Sequence, residues 1–402
     1  MAEQNRTRLV RMALLGLVVG LVLVVAFYWF QVVVTAASTD PRSMTDLTVY
    51  RGAVLSMLDG HGLYDYMFVR TADSSLPFTY PPFAALVFVP MAVLPLAVAA
   101  WLSIIVSMAL CPVLAYLLLR RASRWAGQRP PLAPLVGVSL ALLISEPVAH
   151  GILLGQISLL LVTLTLIDAC GVLPRRWQGV LIGLAGAVKL IPMVFVPYFL
   201  ITRQWRRAAT ATGTFAVATG LGFLVLPAES YRYWTQLVFD TSRVGDVAVS
   251  RNKSLLGLMV RWGLGGDHQR LLWLALAAVI AGLSLWVARR HHRRGEEFAA
   301  ALVVGTLSIV LTPISWPHHQ VWMPLVALYL VLLERRWTVV CGALLLVGYV
   351  YATPLISWED TGPVWERLMW ELPTLASVAV AVLGLPRRAP VPAAEPEPLA
   401  VA

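Results

Sequence analysis

The residues that could do chemistry fall into a few short strings. Asp46 stands in Thr45-Asp46-Leu47-Thr48-Val49-Tyr50, which reads as the start of a helix close to a membrane surface. A functional carboxylate and a helix-terminal carboxylate favoured by the macrodipole weigh evenly there. Asp59, in Asp59-Gly60-His61-Gly62, is a turn former instead. Far along the chain, Pro313-Ile314-Ser315-Trp316-Pro317-His318-His319-Gln320 packs two histidines, a serine and a tryptophan into one turn. Adjacent histidine side chains point in different directions and no third ligand lies at metal-site spacing, so the turn does not read as a metal centre. Donating a hydrogen bond to an anionic leaving group suits it better. Lys189, in Gly186-Ala187-Val188-Lys189-Leu190-Ile191-Pro192, is an ionisable group in an otherwise apolar stretch, which marks a functional position unless it snorkels to the interface.

Three further strings are candidates for binding. Ser250-Arg251-Asn252-Lys253-Ser254, with Arg261 beyond it, makes a basic and amide cluster that suits a phosphate or pyrophosphate, or is an ordinary solvated loop. Phe78-Thr79-Tyr80-Pro81-Pro82 ends in a rigid extended elbow, where Tyr80 either lines a lipid or sugar site or anchors the chain at the interface. Gly155-Gln156 offers an amide near the mouth of a helix pair.

The elements that must position these residues are membrane helices. Of 402 residues 59% are hydrophobic and only 13% charged, and the mean hydropathy is +0.75, which excludes an ordinary soluble globular chain. The net charge of +10 collects in short clusters between apolar stretches of spanning length, as the positive-inside bias requires, with no basic stripe interleaved with aromatics. No nucleic-acid partner is indicated. Cys111, Cys170 and Cys341 have no C-x-x-C spacing and read as small core hydrophobes.

Arg6, Arg8 and Arg11 before the apolar run Met12 to Val34 predict a first membrane helix entering from the cytoplasm. The later basic clusters at 120–124, 175–176, 203–207, 289–294, 335–336 and 387–388 are then cytoplasmic. This puts the chemistry outside, in residues 35–80, 150–156, 227–270, 313–320 and 357–367. Between Arg176 and Arg203 there is chain for one crossing, yet both ends are basic, so a re-entrant pair of half-helices around Lys189 and Pro192 is predicted. Phe83 to Leu94 reads as a short helix at the outer face, followed by a span. The expectation is an all-α polytopic integral membrane protein with about ten crossings, both termini cytoplasmic, one domain over residues 1–385 and a disordered tail over 386–402.

Taken in order, these strings resemble the C-type polytopic glycosyltransferases of glycosyltransferase family 87. The resemblance rests on Asp46 to Tyr50, Gly62-Leu63-Tyr64-Asp65, Phe78 to Pro82, Gly155-Gln156, Lys189 with Pro192, Arg251 to Ser254, and Pro313-Ile314-Ser315-Trp316-x-His318-His319. Lys253 departs from the pattern, which has glutamine there. The resemblance implies a GT-C-type bundle of about ten to twelve transmembrane helices, with short outer-face helices and re-entrant segments. It also implies transfer of a sugar, usually mannose, from a polyprenyl phosphate donor to a glycolipid acceptor such as a phosphatidylinositol mannoside or lipomannan, outside the cytoplasmic membrane. A β-linked mannosyl phosphate converted to an α-1,2-mannoside inverts, so one carboxylate serves as general base, and the resemblance places Asp46 in that role. His318 or His319, Lys189 and Arg251 are the expected phosphate donors, and Tyr50, Asp65, Tyr80, Gln156, Asn252 and Trp316 the expected substrate contacts. The scheme needs no cofactor and no divalent metal.

Two readings compete. An arabinofuranosyltransferase would use the same carrier chemistry with a different sugar. A lipid or sugar transporter would show polar residues at mid-membrane depth and internal repeats; here the polar residues gather in outer loops and no repeat stands out.

Overall fold

The computed structural model describes residues 43–71, 74–123, 125–355 and 364–387. The expected first membrane helix and the tail beyond residue 387 lie outside these. The described residues form sixteen α-helices and one hairpin. The chain begins with α1 (Thr45–Leu58), crosses an antiparallel ribbon of β1 (Met67–Thr71) and β2 (Ser74–Pro77), and enters α2 (Pro82–Ala92) with proline at the first helical position. The ribbon is an addition to the all-α expectation, since its strands are too short to stand out within a polar loop. Side chains from these elements share a small core of Val49, Tyr50, Leu63, Tyr64, Phe78 and Phe88, joined by Tyr233 of α10 (Pro227–Thr235).

The bundle proper contains α3 (Leu96–Ala122), the pair α4 (Leu132–Ile144) and α5 (Glu146–Leu154), α6 (Ser158–Ala169), α7 (Val180–Val188), α8 (Phe195–Ile201) and α9 (Trp205–Val225). After α10 come α11 (Leu255–Arg261), α12 (Gln269–Arg293), α13 (Glu297–Leu311), α14 (Trp322–Leu332), α15 (Arg336–Leu355) and α16 (Val364–Leu383). Burial separates them into centre and rim. Nearly every side chain of α13 and the first nine of α14 are buried, so these helices fill the middle. At the rim, α3, α9 and α12 turn side chains such as Ile105, Val217, Leu224, Leu271 and Val279 outward. Apolar surface on that scale is stable against lipid, not water.

Among the described residues three helices are long and apolar enough to cross a membrane singly, and α4 with α5, bent by 64°, makes a fourth crossing if the pair is one span. Other apolar helices have 10–17 residues, short for a roughly 30 Å hydrocarbon core at about 1.5 Å per residue. Of these, α6, α13 and α14 are largely enclosed by protein, whereas α15 turns Trp337, Val340, Leu344 and Val347 outward.

The predicted break at Lys189 is present. Helix α7 ends at Val188, Lys189 is extended, a 3-10 turn covers Ile191–Val194, and α8 follows. Helix α7 lies against α9 so closely that a Cβ on Gly183 would stand 2.5 Å from the Ala211 carbonyl oxygen. The start of α7 and the end of α8 return to the same end of the bundle, where Gln178 and Arg203 line one cavity. The two half-helices therefore enter and leave by one face, with Lys189 at their tip.

Candidate active site

The site is built where α1, the end of α5, the tip of the α7–α8 hairpin and the turn between α13 and α14 converge. Asp46 sits in the first turn of α1, where the helix dipole favours its anion. Helix α5 stops at Gly155, whose φ of +69° is left-handed and whose missing Cβ would stand 2.6 Å from that of Leu47. Only glycine permits that stop against α1, and it delivers the next residue, Gln156, to the carboxylate. Gln156 Nε2 donates to Asp46 Oδ2 at 2.6 Å.

The other end of that amide is fixed by hydroxyls. Gln156 Oε1 accepts from Tyr80 at 3.2 Å and from Ser158 at 3.2 Å. The Tyr80 hydroxyl has one proton and gives it to Gln156, so the 2.7 Å contact between the Tyr50 and Tyr80 hydroxyls is donated by Tyr50. The chain Tyr50 to Tyr80 to Gln156 to Asp46 thus runs in one direction and sets which end of the amide faces the carboxylate. Tyr50 is stacked on Phe88 with centroids 4.6 Å apart and meets Tyr80 edge to face. Both tyrosines are buried and support the carboxylate from behind.

Lys189 links this arm to the histidine turn. Its Nζ lies 3.4 Å from the Tyr80 hydroxyl, 5.2 Å from the Tyr80 ring centroid and 3.0 Å from His319 Nε2. The backbone N–H of Trp316 donates to His319 Nδ1 at 3.2 Å, so a neutral His319 carries its hydrogen on Nε2, facing the lysine. Burial, and then the neighbouring lysine, push both His318 and His319 well below the usual histidine range. His318 is buried with Nδ1 lacking a hydrogen-bond partner, and its ring meets those of His319 and His150 edge to face. His150 pairs with Glu146 at 3.4 Å, one turn back on α5. A narrow apolar crevice of about 40 Å³ leads from Lys189 and His319 between Leu161, Val162, Phe195 and Trp322.

The remaining candidates separate into scaffold and surface. Asn252 is fully buried; its Nδ2 donates to the carbonyls of Val247 and Pro313, and its Oδ1 accepts from the backbone N–H of Ser254 and Ser315. It sews its own loop to the histidine turn. Lys253 is buried too, lowered to about 8 by burial, and donates to the Trp370 carbonyl of α16 at 3.0 Å. Arg251, not its neighbours, is the exposed member of the string. The loop is therefore an internal brace with one exposed arginine, not the outward-facing cluster its polarity suggests. Asp65 is exposed and paired with Arg232 at 2.6 Å. Trp316 is half-buried and lies over Gly245. Ser158, Glu146 and His150 escaped the sequence reading. A glutamate and a histidine four residues apart within an apolar stretch were the available signal for the last two. Among the described residues no three His, Cys, Asp or Glu side chains gather in a set that would hold a metal ion.

A carboxylate held by an amide, with a lysine and an imidazole N–H across from it, is suited to proton transfer beside an anionic group. The profile of glycosyltransferase family 87 matches residues 78–313, more than half of the chain. The chain belongs to glycosyltransferase family 87. This family 87 chain is 35% identical over 80% of its length to a polyprenol-phosphate-mannose-dependent α-(1-2)-phosphatidylinositol mannoside mannosyltransferase of Mycobacterium tuberculosis, covering 79% of that protein. It is 34% identical over 92% of its length to the corresponding pentamannoside mannosyltransferase of Mycolicibacterium smegmatis, covering 91% of it. An α-(1->3)-arabinofuranosyltransferase of Corynebacterium glutamicum matches less well, at 28% identity over 71% of this chain and 65% of that one. As a family 87 member the protein is a glycosyltransferase of the membrane, and of the ordered strings that resembled the family in sequence, those holding Asp46, Tyr80, Gln156, Lys189 and His319 meet at this site, while Asp65 lies at the surface and Asn252 braces the histidine turn.

Proposed function

We propose that the protein moves mannose from a polyprenyl phosphate carrier to a phosphatidylinositol mannoside or lipomannan-type acceptor, forming an α-1,2 linkage with inversion at the outer face of the cytoplasmic membrane. The mannosyltransferase relatives, matched over most of their length, support the sugar, carrier and acceptor class. The observation that carries the chemistry is the pairing of Lys189 with His319 opposite Asp46.

With the His319 hydrogen on Nε2 and a lysine ammonium 3.0 Å away, two donors face each other. An oxygen anion to one side of the pair, within reach of both, accepts from both, and a phosphate is such an anion. The acceptor hydroxyl attacks the anomeric carbon from the side opposite the phosphate while Asp46 takes its proton. The bond from the anomeric carbon to the phosphate oxygen breaks with its electron pair, and the departing polyprenyl phosphate gains the charge that Lys189 and His319 stabilise. The acid that would protonate a neutral leaving group is not needed.

The test is transfer of labelled mannose from polyprenyl-phosphate-mannose to endogenous lipids by membranes holding wild type or Asp46→Asn at equal abundance. Asparagine can still accept from Gln156, so the fold is kept while the base is lost, and transfer should fall by about 10³-fold. Equal transfer by both proteins removes Asp46 as the base; no transfer by wild type redirects the search to a polyprenyl-phosphate-arabinose donor.

A further inference from the structure

The helices that present the site end, at their other extremity, around a second cavity. Helix α6 runs from Ser158, beside Gln156, to Cys170 and Gly171 at this cavity; α7 starts here and α8 ends here; α9 starts here; and α13 starts here at Glu297, its far end feeding the histidine turn. The cavity is therefore on the membrane face opposite Asp46. Its volume is about 540 Å³, and Arg175, Gln178, Arg203, Arg206, Arg207 and Glu297 line it. Four guanidiniums share this volume with one carboxylate, and that carboxylate is already engaged by the Tyr198 hydroxyl at 3.3 Å and by His292 at 2.8 Å.

Two features distinguish the cluster from loose charges at helix ends. Arg207 is held in place: it donates to Gln178 Oε1 at 3.0 Å, to Gln204 Oε1 and to the Asp168 carbonyl at 3.1 Å, and lies over the Phe199 ring at 5.3 Å. Arg203 closes α8 with φ +60°, a left-handed position where glycine would be free of strain. A strained non-glycine residue beside a cavity is a reason to look for a function of its side chain. Trp205 on the cavity rim and Trp177, two residues after Arg175, are 61% and 52% exposed, the placing of aromatics at headgroup depth.

Like charges around an open volume repel unless an anion joins them, and guanidinium forks match phosphate oxygens. Basic pockets between helices on the positively biased face of a membrane protein take anionic lipid headgroups. We infer that this cavity binds the phosphate headgroup of an anionic phospholipid in the leaflet opposite the Asp46 cluster. The site is independent of the transfer reaction proposed above.

Full-length protein in a neutral detergent, titrated with phosphatidylglycerol or phosphatidylcholine of equal chain length and read by native mass spectrometry, tests this. Wild type should retain phosphatidylglycerol in preference to phosphatidylcholine. Arg203→Ala with Arg206→Ala should weaken phosphatidylglycerol binding by at least about tenfold, while Arg335→Ala with Arg336→Ala, which removes the same charge from equally exposed residues that do not line the cavity, should not. Arg203→Gly removes one guanidinium and relieves the backbone, so it should bind about fivefold more weakly with no loss of thermal midpoint in phosphatidylcholine. Equal loss in both double variants, no lipid preference in wild type, or unchanged binding by Arg203→Gly would each overturn the inference. Thermal stabilisation by inorganic phosphate equal to that by phosphatidylglycerol would assign the cavity to a free anion instead.

Discussion

The carboxylate arm and the histidine turn of the site are finished to different degrees. Around Asp46 each hydroxyl and amide has a partner, in a chain that runs one way from Tyr50 to the carboxylate. Across from it, His319 and Lys189 face each other as donors, and His318 Nδ1 is buried without a hydrogen-bond partner. Leaving buried polar atoms unpaired costs about 1–3 kcal/mol each. A base must be aimed before the substrate arrives, and its aiming groups are all protein; a phosphate cradle is completed by the phosphate. On the proposed mechanism the incomplete arm is the one whose missing partner comes with the donor.

That contrast can be broken by exchanging the character of either arm. After loss of the base, removing a donor from the cradle should have the largest effect: Lys189→Met or His319→Ala should reduce transfer by about 10²–10³-fold and weaken retention of polyprenyl phosphate by purified protein. Unchanged retention in both variants would detach the phosphate from this pair. Gln156→Leu removes the amide that orients Asp46, and should lower kcat by about ten- to a hundredfold with little change in donor KM. A KM effect without a kcat effect would make Gln156 a substrate contact. Tyr50→Phe removes only the far end of the chain and should cost less than about tenfold in kcat, with Tyr80 still able to hold the amide.

The smallest effect belongs to stability. His318 and His319 are held below the usual histidine range in the folded protein, so the unfolded chain binds more protons just below the ordinary histidine value of about 6.5. Their contribution is complete above that pH and erodes as pH falls beneath it. Thermal midpoints should drop between pH 7.5 and 5.5 in wild type, and drop less in His318→Asn. Parallel pH profiles would show that this imidazole does not titrate across unfolding.

What the sequence made legible was polarity in an apolar setting. Asp46, Lys189 and the two histidines stood out that way, and all but His318 enter the hydrogen-bonded cluster. The break at Lys189 followed from counting chain between basic ends. Polarity does not report burial, however. Asn252 and Lys253 are as polar as Arg251 beside them, yet their partners are the carbonyls of Val247, Pro313 and Trp370, distant segments that no local pattern specifies. The bond between Gln156 and Asp46 spans 110 residues and depends on Gly155 stopping against Leu47, a steric fact of the assembled bundle. Asp65, part of a recognisable string, is a surface partner of Arg232.

The hairpin of α7 and α8 has a consequence for how the protein is made. Lys189 reaches the Asp46 cluster without its segment ever being threaded through to the far side, because both arms start and finish at the same face. Neither arm, of nine and seven residues, is long enough to be released into lipid alone. The pair can seat only once α6, α9 and α13 offer it protein walls, and α13 is synthesised about a hundred residues later. Nascent chains stopped before α13 should leave Lys189 accessible from the face where α7 starts and α8 ends, and completion of α13 is then the step that closes the Lys189 and His319 pair.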